Sequence, residues 1–173
     1  MKRILIAVAC LSLSAALFGQ RNRFTEAVKY NDFIVGQQSQ IGKTIQAFND
    51  ACTNTSDTAV LHGKRRDIIN QANQSYKQLQ QTEPFKGDTS LIKHAMALFL
   101  FYAKTAANEY RQMLDVIFSK SGTGQQKNEQ LQVLLDTVTT QEKLWDTNFL
   151  NAQSAFAKKY NIDLKPNEEK SSQ

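Results

Sequence analysis

The chain has 173 residues, of which 41% are hydrophobic, and carries 21 Lys+Arg against 16 Asp+Glu for a net charge of +5, with two Cys. That length suits one domain. The charge is too mild for the dense cationic face of a nucleic-acid binder, and two thiols cannot make a disulfide scaffold.

The chain opens MKRILIAVACLSLSAALFGQ. Lys2 and Arg3 form a basic start, and Ile4 to Phe18 an apolar run interrupted only by Ser12 and Ser14. This is the pattern of a secretory signal peptide, and it falls short of the about 20 apolar residues of a membrane span. The sequence turns polar at Gln20. Gly19 is small enough to precede a cleavage bond, which places the cut between Gly19 and Gln20. A lipoprotein alternative at Cys10 would need a longer apolar segment before it and Leu, not Ala7, three residues back. Loss of residues 1–19 takes Lys2 and Arg3 away and lowers the charge from +5 to +3. Only Cys52 then remains, so stability has to come from the core. Cys52 itself reads as a small, semi-buried residue.

Beyond the leader, apolar residues recur at steps of three and four, the period of amphipathic helices. The first helix runs from about Asn22 to Ala51, with a stripe of Tyr30, Ile34, Ile41, Ile45 and Phe48. Cys52 to Asp57 breaks the period with cap-forming residues. The second helix starts near Thr58, capped by Ser56 or Asp57, and ends before Glu83-Pro84. Its stripe is Val60, Leu61, Ile68, Ile69, Ala72, Tyr76 and Leu79. The third helix follows an Asp88 cap and runs from about Thr89 to Lys120. Its centre, Ala95 to Ala103, is apolar all round and bracketed by Lys93, His94 and Lys104. Nine residues cannot span a bilayer, so this is the most buried helix. Ser121-Gly-Thr-Gly124 ends it, with Gly122 or Gly124 free to take the left-handed conformation. The fourth helix runs from about Gln125 to Tyr160. Its expected buried face is Leu131, Leu134, Leu135, Val138, Leu144, Trp145, Phe149, Ala152 and Phe156. Residues 161–173 form a loose polar tail. Short connections predict antiparallel neighbours. The expected fold is therefore all-α: an extended up-down-up-down four-helix bundle over residues 20–160.

The chemistries that bundles host fare poorly in this sequence. Di-iron sites need Glu-x-x-His pairs, yet His62 and His94 are preceded three residues earlier by Ala59 and Leu91. Covalent haem needs Cys-x-x-Cys-His, and Cys52 stands alone. Both histidines read as surface or boundary residues. There is no nucleophile elbow, phosphate-cradling loop or dinucleotide fingerprint. Glu168 and Glu169 lie in the polar tail. The run Lys64-Arg65-Arg66 reads as a solvated helix face before it reads as a phosphate site. No catalytic residue, metal ligand or cofactor is expected.

Modification signals and an amide-rich surface remain. Asp57-Thr58-Ala59 resembles the Asp-Thr-aliphatic O-glycosylation signal of some Gram-negative bacteria and falls where a loop exposes it; Asp-Thr is also an ordinary helix cap. Asp136-Thr137-Val138 has the same form inside a helix. Asn54-Thr-Ser56 and Asn73-Gln-Ser75 match the N-glycosylation sequon. The 18 Gln and 12 Asn form either a neutral coat or a hydrogen-bonding face for a partner. Asn31, Asp32, Gln37 and Gln38, beside the first stripe, are the expected polar contact patch. Gly36 and Gly42 interrupt the same helix and either permit close helix approach or soften the rod.

Tyr30-Asn31-Asp32, Ile34-Val35, Gln38 and Ile41, following a signal peptide, resemble a family of small, uncharacterised exported bacterial surface proteins typified by a leptospiral member. The resemblance implies an exported helical protein with a polar patch at the start of its first helix, and no enzymatic role. The expected protein is thus a periplasmic or surface binding or scaffold module of a Gram-negative bacterium. It would have a protein or glycan partner in the envelope, no nucleic acid and no membrane span. A holdase-like envelope chaperone and a small-ligand carrier are the alternatives.

Overall fold

The computed structural model describes residues 26–164. The proposed cleavage site at Gly19 and Gln20 and most of the polar tail lie outside them. The described chain is an all-α bundle with the element order α1 (Ala27–Asn54), α2 (Thr58–Gln80), α3 (Ser90–Ala107), α4 (Glu109–Phe118) and α5 (Gly124–Tyr160). Among the described residues, no helix is long and apolar enough to cross a membrane.

The α1 stripe forms as its spacing dictates. Tyr30, Ile34, Ile41 and Phe48 are all buried. The helix stops where Thr55 turns extended. Asp57 then starts α2, its carboxylate accepting from the N–H groups of Ala59 and Val60. Leu61, Ile68, Ala72, Ser75 and Leu79 make the inner face of α2; Val60 lies outside it and is exposed.

The loop after α2 tucks Phe85 into the core. It turns through Lys86 at φ 48° and Gly87 at φ 78°. Asp88 works from one residue outside the expected cap position. Its Oδ1 accepts from the Ser90 N–H at 3.0 Å, and its Oδ2 pairs with Lys159 at 2.7 Å. The Lys159 ammonium holds the Asp88 carboxyl below its usual range.

The third predicted helix is two. Most of its apolar centre is buried as expected, with Ala95, Leu98, Phe99, Phe101 and Tyr102 in the core, but Leu100 is exposed, so the helix is not buried all round. The helix then breaks at Asn108, at φ −109° and ψ −73°. Asn is a poor helix former, and the Arg65 guanidinium satisfies the Ala106 carbonyl at 2.9 Å. That carbonyl belongs to the last turn of α3, whose acceptors lack intrahelical partners.

Thr123 and Gln126 form a reciprocal capping box at the start of α5. Gly122, at φ 84°, supplies the left-handed turn before it. Val138, Phe149, Ala152 and Phe156 are buried, but no residue from Gly124 to Thr137 is. Leu144 is 57% exposed because it sits one residue, or about 100°, round the helix from Trp145. Leu135 is 48% exposed although it shares the inward side with Val138.

Two apolar clusters hold the helices. The larger joins Tyr30, Ile34, Leu91, Leu98, Phe99, Phe149 and Phe156, closed at one end by the ring contacts of Tyr30, Phe85, Phe156 and Tyr160. The smaller joins Phe48, Leu61, Ile68, Ala106 and Leu114, and Ile45 touches both. Gln37 and Gln40 of α1 meet Ser75 and Gln71 of α2 respectively, an antiparallel register. Asp88 and Tyr102, preceding and within α3, meet Lys159 and Asp146 of α5, again in opposite order.

Candidate functional site

The polar residues beside the α1 stripe do not form one exposed patch. With each residue turning about 100°, Asn31 and Gln37 lie about 60° to either side of Ile34. One faces α5 and the other α2. Asn31 is 5% exposed, and its side-chain oxygen accepts from Gln153 at 3.0 Å. Gln37 is 6% exposed and accepts from the buried Ser75 hydroxyl at 2.9 Å. Both fasten α1 to its neighbours. Asp32 is exposed and Gln38 half-buried, so the expectation of a four-residue contact patch is corrected to two separate inter-helix bonds.

Other candidate residues fall as follows. Thr58 is exposed at the first turn of α2. Cys52 is exposed, not semi-buried, and partial desolvation pushes its thiol upward. His62 is half-buried; His94 is exposed and donates to the Ser90 carbonyl at 2.9 Å. Within the basic run, Arg66 is solvated, but Arg65 is turned inward to the α3–α4 break. Among the described residues, no three or more His, Cys, Asp or Glu side chains gather as metal ligands would.

What the sequence pattern did not reveal is the polar chemistry gathered at that break. Tyr102 is buried in α3 and donates its hydroxyl to Asp146 of α5 at 3.1 Å. Glu142 lies one helical turn before Asp146, so the two carboxylates share a face of α5. Burial raises both above the usual carboxylate range, and for Glu142 the neighbouring Asp146 adds to the shift. Burial also pushes the Tyr110 phenol up to about 12 and Tyr102 further. Tyr110, just past the break, stacks on Phe48 at 5.1 Å between centroids.

A cleft of about 370 Å³ opens beside this cluster. Phe101 and Trp145, with ring centroids 6.4 Å apart, line its apolar side. Lys104, Asn108, Glu109 and Gln141 bring charge and amide groups to it. Trp145 is the chain's one tryptophan. An aromatic wall with a few polar groups is the composition of a binding site. The only sequence signals for it were Asn108 inside a helical pattern and a Trp on the α5 stripe.

A second, wider groove of about 800 Å³ lies between the end of α4 and the start of α5. Val116, Val133 and Leu134 supply its apolar part. Val133 is 66% exposed.

Comparison with protein-family models, with curated proteins and with solved structures finds no match for this chain.

Proposed function

We propose that this chain is an exported, non-catalytic binding module of the Gram-negative cell envelope, periplasmic or at the surface, recognising a protein or glycan partner. The leader at residues 1–19 and the resemblance carried by Tyr30 to Ile41 support export. The short connections and the two antiparallel registers support an up-down-up-down order of helices. The observation that carries the binding role is the cleft beside Asn108. It combines the Phe101–Trp145 wall with Lys104, Glu109 and two amides, and it lies where the helix ladder is interrupted. Mid-helix irregularities of this kind are often placed at functional sites.

The test uses residues 20–173 as bait in an envelope extract, with a Lys104→Glu/Gln141→Ala variant beside it. Both positions are exposed, so the variant should fold. A partner retained by the wild type and lost from the variant supports the cleft. Equal capture by both removes the cleft from the reading.

The holdase alternative gains from one observation. Leu135, Val133 and Ile117 are exposed near the α4–α5 groove, where the sequence pattern implied that the apolar stripes were used inside. Suppression of client aggregation by the purified mature chain, weakened by Val133→Ser/Leu135→Ser, would favour it. No suppression at stoichiometric levels would eliminate it.

A further inference from the structure

Four short segments of this chain match glycan-acceptor patterns, and the structure separates them. Asn73 sits within α2, and the Ser75 that completes its sequon is fully buried against Gln37. Thr137 lies deep within α5, with its hydroxyl already donated to the Val133 carbonyl at 2.8 Å. The carboxylate of Asp136 beside it accepts from Gln132. Thr137 is exposed, but a transferase that takes its acceptor from an irregular segment would have to break that bond and unwind the middle of α5.

The corner between α1 and α2 is different. Ser56 through Val60 are all exposed. Thr58 is the first residue of α2, preceded by three non-helical residues, and among the described residues its hydroxyl makes no hydrogen bond. The corner is held from within. The Asp57 N–H donates to the Thr55 hydroxyl at 3.0 Å, and the Asp57 carboxylate accepts from Ala59 and Val60 at 2.8 and 3.3 Å. The Asp-Thr-Ala sequence is therefore presented in a fixed shape with its acceptor oxygen open to solvent.

We propose that Thr58 is the acceptor of an O-linked glycan attached in the cell envelope. The proposal rests on the reading that the chain is exported. The donor class is a glycan carried on a polyprenyl diphosphate. The Thr58 Oγ1 attacks the anomeric carbon and forms the new C–O bond. The bond from that carbon to the diphosphate breaks, and the lipid diphosphate leaves with the electron pair. A base on the transferase takes the hydroxyl proton. Asn54, the last residue of α1, shares the corner and is the competing acceptor.

The test expresses the full chain, tagged at its C-terminus, in a Gram-negative bacterium that glycosylates Asp-Thr-aliphatic sites. Envelope and cytosol fractions are then read by intact and peptide mass spectrometry. The expected product begins near Gln20 and carries a sugar-sized mass increment on the peptide containing Thr58. That increment is lost completely in Thr58→Val and kept in Thr58→Ser and Thr137→Val. Asp57→Asn should also lose it with little change in melting temperature, because Asn caps a helix about as well as Asp. An exported chain with an unmodified Thr58 peptide overturns the proposal alone, as does an increment that survives Thr58→Val. An uncleaved chain confined to the cytosol overturns the export reading and the proposal with it.

Discussion

Three glycines interrupt the interiors of α1 and α2, at positions 36, 42 and 63. For Gly36 and Gly42 the sequence leaves two roles open, close helix contact or softening of the rod. A Cβ built at any of the three meets nothing within 4 Å. Close contact among the described residues therefore does not need them. Replacing an interior helix glycine by alanine recovers about 0.8–1 kcal/mol of helix propensity. The sites share no packing partner, so the triple variant Gly36→Ala/Gly42→Ala/Gly63→Ala should gain about 2–3 kcal/mol by addition. For a chain of this size, that is roughly 5–10 °C in melting temperature. Thermal melts and urea titrations of residues 20–173 read it directly, with an unchanged urea slope expected if the unfolded state is unaffected. Gly87→Ala is the opposing control. Its φ of 78° lies in the left-handed region, so a side chain there should destabilise by about 1 kcal/mol or more. No gain in the triple variant, or a loss, would refute the reasoning and show that something not among these helices packs on the glycine backbone.

Glu142 and Asp146 have carboxyl groups raised by burial, so the folded state binds more protons than the unfolded state just above the ordinary carboxylate range near pH 4. Their contribution to stability falls as pH rises through that window. Glu142→Gln should flatten this part of a stability–pH profile, and an unchanged profile would count against the desolvated pair. Asp88 runs the other way: its lowered carboxyl supplies stability that is lost as pH falls through its folded value, and Lys159→Met should remove much of that acid sensitivity. Arg65→Met should cost about 1–3 kcal/mol, because the Ala106 carbonyl loses its partner at a partly buried site; a neutral result would show that water replaces the guanidinium. Ser75→Ala should cost a similar amount, on the order of 1–3 kcal/mol, by leaving the buried Gln37 carbonyl unpaired. Denaturant titration of each variant checks both.

The helical period identified the elements because the stripes are long and regular. Ile34, Ile41, Leu61, Ile68 and Phe149 are buried where a period of 3.6 places them. Period cannot say what stands opposite a residue. Asn31 and Gln37 flank the stripe just as solvated amides would, and only the positions of α5 and α2 turn them into inter-helix bonds. The same limit explains Leu135, whose direction is inward but whose end of α5 is poorly covered. The break at Asn108 was hidden for another reason. One asparagine in an otherwise good helical run carries a small propensity cost, and Arg65, the partner of the Ala106 carbonyl beside the break, lies 41 residues before Ala106 in sequence.

The break is also where the local rules of helix design conflict most. An arginine is drawn inward to a carbonyl. Two carboxylates one turn apart are desolvated together, and a tyrosine hydroxyl supports one of them. The far end of the larger apolar cluster, where Tyr30, Phe85, Phe156 and Tyr160 meet ring against ring, is closed by aromatic contacts instead. A bundle needing only rigidity would continue α3 into α4 unbroken and fill positions 142 and 146 with apolar residues, since replacing buried charge by well-packed hydrophobes is often stabilising. Sequences that depart from local consistency tend to do so at functional sites. The departures here coincide with the Trp145 cleft, so the proposed binding role rests on the cleft together with the polar groups beside it. Intrinsic fluorescence makes the argument testable, because Trp145 is the chain's one tryptophan. Occupancy of the cleft should change its emission, and Tyr102→Phe/Asp146→Leu should weaken that response while leaving the Phe99–Phe149 cluster intact. A captured partner that binds with no change in Trp145 emission would move the site elsewhere on the bundle.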